Sequence, residues 1–241
     1  MGVTPALRAI VFDFDGLILD TEEPIYRSWL EVYTAHGQEL PFDRWMQTVG
    51  SSNAAFDPRA NLEERLGRAL TQEVLDERMR RRSELVLEQT VLPGVAELAA
   101  AARDIGLKTG VASSSSQGWV REHLERLGIL GLFECIRCRD DVQRVKPAPD
   151  LFVATLDCLG VAPGESVAIE DSPNGVLAAK AAGMFCVAVP NTITAGQDLS
   201  RADVVLSSLA GATPESLATS LGLTVFRCES GSSPVEETRP A

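Results

Sequence analysis

The 241 residues carry a formal net charge of −12, with 45% hydrophobic and 23% charged residues. That is enough apolar material for one large α/β domain, or for a core with a smaller insert. The acidic balance excludes a nucleic-acid or anionic-membrane binder. With no apolar stretch of membrane-spanning length and no signal-peptide pattern, a cytoplasmic protein is expected.

Ala9-Ile10-Val11-Phe12 is a hydrophobic run that reads as a buried parallel strand delivering Asp13-Phe14-Asp15-Gly16 to a turn. Residues two apart in extended backbone share a face. The two carboxylates should therefore emerge together at the strand's carboxyl end, where open α/β sheets place ligands. Asp20-Thr21-Glu22-Glu23-Pro24 has the capping residue, first-turn acids and early proline of a helix start. Tyr26, Trp29, Leu30 and Tyr33 follow at helical spacing, with Gly37 past the end. Residues 41–60 are turn-rich. From Asn61 to about Gln89 the pattern is helical again, and Arg80-Arg81-Arg82, set among Glu73, Asp76, Glu77 and Glu84, reads as a solvated, ion-paired face. The stretch 21–91 lacks strand alternation and is predicted to be a helical insert.

From Pro93 the rhythm changes. Helices closed by Gly106, Gly128, Gly160 and Gly183 alternate with strands at Leu107–Ala112, around Ile136, at Ser166–Ile169 and at Phe185–Val189, and a last strand follows at Asp203–Leu206. Repeated helix, glycine, strand order predicts a doubly wound parallel sheet of Rossmann-like type. The domain expectation is an α/β core over 1–20 and 92–227, a helical unit over 21–91, and a polar, disordered tail over 228–241. The cysteines at 135, 138, 158, 186 and 228 show no ligand-spaced second pair, and the only histidines are His36 and His123. Zinc or redox chemistry is not expected, and the thiols are read as free and buried or half-buried.

Three predicted strands end in polar clusters: Asp13/Asp15, Ser113–Ser116 and Glu170/Asp171. In a parallel sheet all three carboxyl ends lie on one edge. Acids from two strands suit a hard cation such as Mg²⁺, which takes few carboxylates and keeps much of its water. A fourth element, Lys146-Pro147-Ala148-Pro149-Asp150, restricts the backbone around Lys146 with two prolines. Only three of the 22 basic residues are lysines, so a lysine here runs against the background. A compact ammonium can bridge a carboxylate and a phosphoryl oxygen where a planar guanidinium is larger. Taken singly, each cluster also reads as a cap or a polar loop; together, in this order, they argue for a site.

Phe-Asp-Phe-Asp-Gly at 12–16, Ala-Ser-Ser-Ser at 112–115, Lys-Pro-Ala-Pro-Asp at 146–150 and Ile-Glu-Asp-Ser-Pro-Asn-Gly at 169–175 resemble the four motifs of the haloacid dehalogenase superfamily. The nearest branch is that of the β-phosphoglucomutase-like phosphatases, and the likeness covers about residues 8–225. The resemblance implies a Rossmann-like core with a small helical cap at 21–91, Mg²⁺ as cofactor, and hydrolysis of a small phosphorylated metabolite such as a sugar phosphate. By the same resemblance Asp13 is the nucleophile and Asp15 the general acid and base, while Ser113 and Lys146 hold the phosphoryl group. Asp13, the Asp15 carbonyl and Asp171 take the metal, with Glu170 supporting it.

The sugar-phosphate mutases of the branch carry a histidine where this chain has Ile25, and an arginine after a cap glycine where this chain has Asn53. Both departures favour a phosphatase over a mutase; a catalytically inert relative is the third reading. Asp20, Glu23, Asn53, Ser114, Ser115 and Gln117 are the candidate substrate contacts, although Asp20 and Glu23 also read as helix caps. Trp119 is expected in the core rather than stacked on substrate, and both histidines on helices with ordinary partners. A cap that opens and closes suits a monomer.

Overall fold

The computed structural model describes residues 5–46 and 56–226. Asn53 and the 228–241 tail lie outside them. A short strand β1 (Ala6–Leu7) precedes the motif strand β2 (Ala9–Phe12). Four helices follow: α1 (Glu22–Ala35), α2 (Phe42–Met46), α3 (Pro58–Leu66) and α4 (Gln72–Glu88). Then come α5 (Val95–Asp104), β3 (Lys108–Ala112), α6 (Gln117–Arg126), β4 (Cys135–Arg137), α7 (Asp150–Leu159) and β5 (Ser166–Glu170). The chain closes with α8 (Pro173–Ala181), β6 (Phe185–Ala188), β7 (Val204–Val205), α9 (Pro214–Ser220) and β8 (Thr224–Val225).

Six strands form one parallel sheet in the order β4-β3-β2-β5-β6-β7. The doubly wound expectation is met. The chain runs outward from β2 through β3 to β4, then returns to the other side of β2, so β2 stands where the winding reverses. That is where open α/β sheets form a ligand crevice. Alternation along β2 feeds two cores: Ile10 and Phe12 pack on one face, Ala9 and Val11 on the other, all fully buried. Each large apolar side chain so buried contributes roughly 1.5–3 kcal/mol. The β1–β8 pair was not foreseen; two residues per strand are too short for a periodicity.

Helices α1 to α4 gather around an apolar cluster of Trp29, Val32, Tyr33, Leu40, Trp45 and Leu62, which Ile193 joins from the loop after β6. The long helical run expected from Asn61 is in fact two helices. Gly67 ends α3 at φ +65°, a left-handed conformation that favours glycine, and Thr71 caps α4 by accepting from Val74 N–H. The strand side of the insert is laced to the core, with Leu19 and Val91 pairing antiparallel and Leu92 N–H donating to Ile18 O at 3.0 Å. Arg126 of α6 donates to the carbonyls of Leu87 and Gln89, both at 3.1 Å, where α4 ends. A cation suits the carbonyl end of a helix.

One cysteine expectation is overturned. Cys135 of β4 and Cys158 of α7 are joined in a disulfide, because α7 packs across the edge strand and brings together residues 23 apart in sequence. Cys138 and Cys186 are free and buried, as expected. Among the described residues no helix is long and apolar enough to cross a membrane.

Candidate active site

The carboxyl ends of β2, β3 and β5 bring the first three clusters together, and the 142–149 loop before α7 supplies Lys146. Asp13 follows β2 directly; its N–H donates to Ile169 O at 2.9 Å, which extends the ladder and fixes the backbone of the proposed nucleophile. Lys146 Nζ donates to Asp13 Oδ1 and, at 2.6 Å, to Glu170 Oε1. All three residues are buried.

Glu170 is held on both oxygens. Its Oε2 accepts from the N–H groups of Asp171 (2.9 Å) and Ser172 (3.1 Å) and from Ser172 Oγ (3.1 Å). Ser172 also caps α8 by accepting from Gly175 N–H at 3.2 Å. The glycine is required here, since a Cβ at position 175 would stand 1.7 Å from Glu170 Oε1. Gly175→Ala is expected to push Glu170 off Lys146 and cost about 1–3 kcal/mol of stability, read as a lowered thermal midpoint. An unchanged midpoint would show that Glu170 can yield.

Asp13, Glu170 and Asp171 each offer an oxygen within 4.8 Å of the others. Burial, opposed by Lys146 and reinforced by Glu170, pushes the Asp13 carboxyl up to about 8. Burial and the neighbouring Glu170 and Asp13 charges also hold Asp171 well above the usual carboxylate range. The Lys146 ammonium is favoured by Asp13 and Glu170, which together outweigh its burial. Three carboxylates against one ammonium leave an excess of negative charge when all are ionised. The donors are all hard oxygens, so the site fits a divalent cation such as Mg²⁺.

Gly16 lets the chain turn beside Asp171. Its φ is +83°, and a Cβ there would meet Asp171 Oδ2 at 2.4 Å. Asn191, after β6, donates from Nδ2 to Asp171 Oδ2 (2.8 Å) and to Gly16 O (3.1 Å), joining two site loops. Sequence reasoning missed Asn191, although its place just past the next strand's carboxyl end was the available signal.

Asp15 faces a different set of partners. Ser115 Oγ donates to its Oδ2 at 2.6 Å, Ser113 Oγ to the same oxygen at 3.3 Å, and the Trp119 indole N–H to Oδ1 at 3.1 Å. Ser113 is fully buried and also accepts from Ser115 N–H at 3.0 Å. Trp119 packs against the core as expected, but its hydrogen bond to Asp15 was not foreseen.

The candidate substrate contacts divide. Asp20 Oδ1 accepts from the N–H groups of Glu22 and Glu23, both at 3.1 Å, so it caps α1. Burial, then the Asp15 and Asp20 charges, push the neighbouring Glu22 carboxyl up to about 7. Ser114 is exposed. Gln117 opens α6, and its N–H donates to Asp140 Oδ2 at 2.6 Å.

The basic run of α4 is only partly a solvated face. Arg80 pairs with Glu77 and Glu84, and Arg81 with Glu31 and Glu84. Arg82 turns inward instead, with its guanidinium 5.6 Å from the Trp119 ring centre and its buried Nε without a hydrogen-bond partner among the described residues. Among the histidines, His36 Nδ1 lies 2.8 Å from Val32 O, and His123 is buried, with its Nδ1 accepting from Arg126.

The haloacid dehalogenase-like hydrolase family matches residues 7–183. A Bacillus subtilis (strain 168) protein named "Putative phosphatase YhcW" is 46% identical over 189 residues, spanning 78% of this chain and 86% of that protein. Beta-phosphoglucomutase of the same organism is 31% identical over 220 residues, 88% of this chain and 94% of its own. A HAD family hydrolase from Deinococcus radiodurans R1, solved with phosphate and sodium bound, matches with a TM-score of 0.75 at 29% identity, over 92% of this chain and 100% of its own. The four motifs, the parallel sheet that carries them and these matches agree: the chain belongs to the haloacid dehalogenase-like hydrolase family.

Proposed function

We propose that the chain is a Mg²⁺-dependent phosphatase of small phosphorylated metabolites, sugar phosphates foremost, working through a phosphorylated Asp13. The observation that carries this reading is the buried Asp13–Lys146–Glu170 chain beside Asp171. It pairs a carboxylate nucleophile with an ammonium and leaves hard oxygens for a cation. The phosphatase named among the relatives and the phosphate bound in the Deinococcus structure support it.

Asp13, Asp171 and the Asp15 carbonyl would hold Mg²⁺, while Glu170, whose oxygens are engaged by Lys146 and by backbone, supports it through water. Bound there, the cation neutralises charge on the transferring phosphoryl group. In the first displacement an Asp13 oxygen attacks phosphorus as the ester P–O bond breaks, and Asp15, as the acid, gives its proton to the leaving oxygen. In the second, Asp15 as a carboxylate takes a proton from water while that water attacks phosphorus. The Asp13–phosphorus bond breaks and its electron pair returns to Asp13. Lys146 and Ser113 hold the phosphoryl oxygens in both steps.

Residues 21–91 are read as a cap that covers this site, and the chain as a monomer. Ile25 packs against the apolar cluster of the helical insert. It offers no group for proton transfer, which favours hydrolysis over the mutase chemistry named for one relative. The test is phosphate release from a panel of sugar phosphates, nucleoside monophosphates and p-nitrophenyl phosphate. Activity is expected with Mg²⁺, loss with EDTA, and recovery when Mg²⁺ is restored. Turnover that survives EDTA removes the metal from the proposal, and silence across the panel favours an inert binding protein.

A further inference from the structure

Trp119 is the one residue of α6 whose described contacts reach both the proposed acid–base carboxylate and the helical insert. Its indole N–H donates to Asp15 Oδ1 at 3.1 Å. Its ring stands edge-on to His123, with centroids 4.2 Å apart, and the Arg82 guanidinium of α4 lies 5.6 Å from the ring centre. The ring is thus gripped from the core and met from the insert, while its one polar atom points at Asp15.

The terminal torsion of an aspartate is broad, so a carboxylate held by one donor can swing. Asp15 is held on both oxygens by different elements of the α6 approach: Oδ2 by the Ser115 and Ser113 hydroxyls and Oδ1 by Trp119. The serines alone leave Oδ1 free to rotate about the Oδ2 anchor. We infer that Trp119 is a positioning residue that sets the orientation of the Asp15 carboxyl group for proton transfer to the leaving oxygen, and that its indole N–H is the part that matters.

This rests on Asp15 acting as the general acid, and it has a signature that packing lacks. Departure of an alkoxide from a sugar phosphate needs the proton from Asp15 as the P–O bond breaks and the electron pair stays on the leaving oxygen. Departure of p-nitrophenolate does not, because that anion is stable in water. Because kcat/KM reports the steps through leaving-group departure, it is blind to the later role of Asp15 as base.

The experiment compares kcat/KM for glucose 6-phosphate and p-nitrophenyl phosphate, with Mg²⁺, in the native chain, Trp119→Phe and Asp15→Ala. A fourth protein carries benzothienylalanine at position 119, which keeps the shape of the ring and replaces N–H by sulfur, so it reports even if Trp119→Phe folds poorly. General acid catalysis is worth about 10²–10⁴-fold. Asp15→Ala is expected to fall by at least about 10²-fold more on glucose 6-phosphate than on p-nitrophenyl phosphate. Both position-119 variants are expected to show the same split, at about tenfold. Equal losses on the two substrates, or none, where Asp15→Ala does split them would make Trp119 a packing residue only and overturn the inference. No split in Asp15→Ala would overturn the acid assignment itself, and this inference with it.

Discussion

Asp13→Asn is expected to stop turnover without unfolding the protein. Phosphate release with Mg²⁺ should fall on the order of 10⁴-fold or more, the scale seen when a covalent nucleophile is removed. The fold should survive because an asparagine oxygen can still accept from Lys146, and because the change removes one of three buried carboxylates that oppose one another. Burial and Glu170 already push Asp13 up to about 8, so a neutral side chain suits the protein alone. Acid-quenched turnover with labelled substrate supplies the chemical readout: the native chain should retain label on protein and the variant none. A variant with native turnover and an unaltered melting curve would remove Asp13 from the nucleophile role.

Lys146→Met is expected to damage both stability and activity. Lys146 is the positive partner between Asp13 and Glu170, with Asp171 beside them. Truncating one member of a buried ionic group leaves the others uncompensated, at a cost of about 3–5 kcal/mol. The thermal midpoint should drop accordingly, and Mg²⁺ should raise it further in the variant than in the native chain, because a cation would replace the missing charge. Lys146→Arg should recover part of the stability and little of the activity, since a planar guanidinium does not occupy the point where one ammonium touches both carboxylates. A methionine variant as stable as native without metal would show that the acids are already protonated at the working pH.

Where a residue's place depends on chain order and strand ends, the sequence was a good guide. Asp13, Ser113 and Asp171 meet because three parallel strands end on one edge, and that follows from repeated helix, glycine, strand punctuation. Lys146 could be singled out because lysine is rare in this chain. The Asp15 partners were only half legible: a hydroxyl after a strand reads as a ligand group, but an indole at the third position of a helix reads as core whichever way its N–H points. Arg82 shows the same limit. A charge run has one composition; the spacing of Leu75, Met79, Arg82 and Val86 sets Arg82 apart on one face of the helix, and its meeting with Trp119 is what the fold adds. Asn191 required the loop after β6 to fold back onto Gly16, and the Cys135–Cys158 bond required α7 to lie over β4. Neither is local. The break at Gly67 was visible as a glycine and a threonine four residues apart, but apolar spacing carried through both.

The lacing of Leu19 to Val91, tightened by the Leu92–Ile18 hydrogen bond, means the two chain crossings leave the core at one point rather than two. To the α/β sheet, the whole of α1 to α4 is thermodynamically a loop whose ends are already closed, and closure entropy grows only slowly with what the loop contains. The length of chain strung between those two residues therefore burdens the core little, although Val86, Arg82 and the carbonyl end of α4 pack on it. A different set of helices grafted between Leu19 and Val91 is expected to leave the sheet in place where it also meets Trp119 and Arg126 as α4 does. The junction is a socket, and on the proposed reading of 21–91 as a cap it is the place where substrate range would be exchanged.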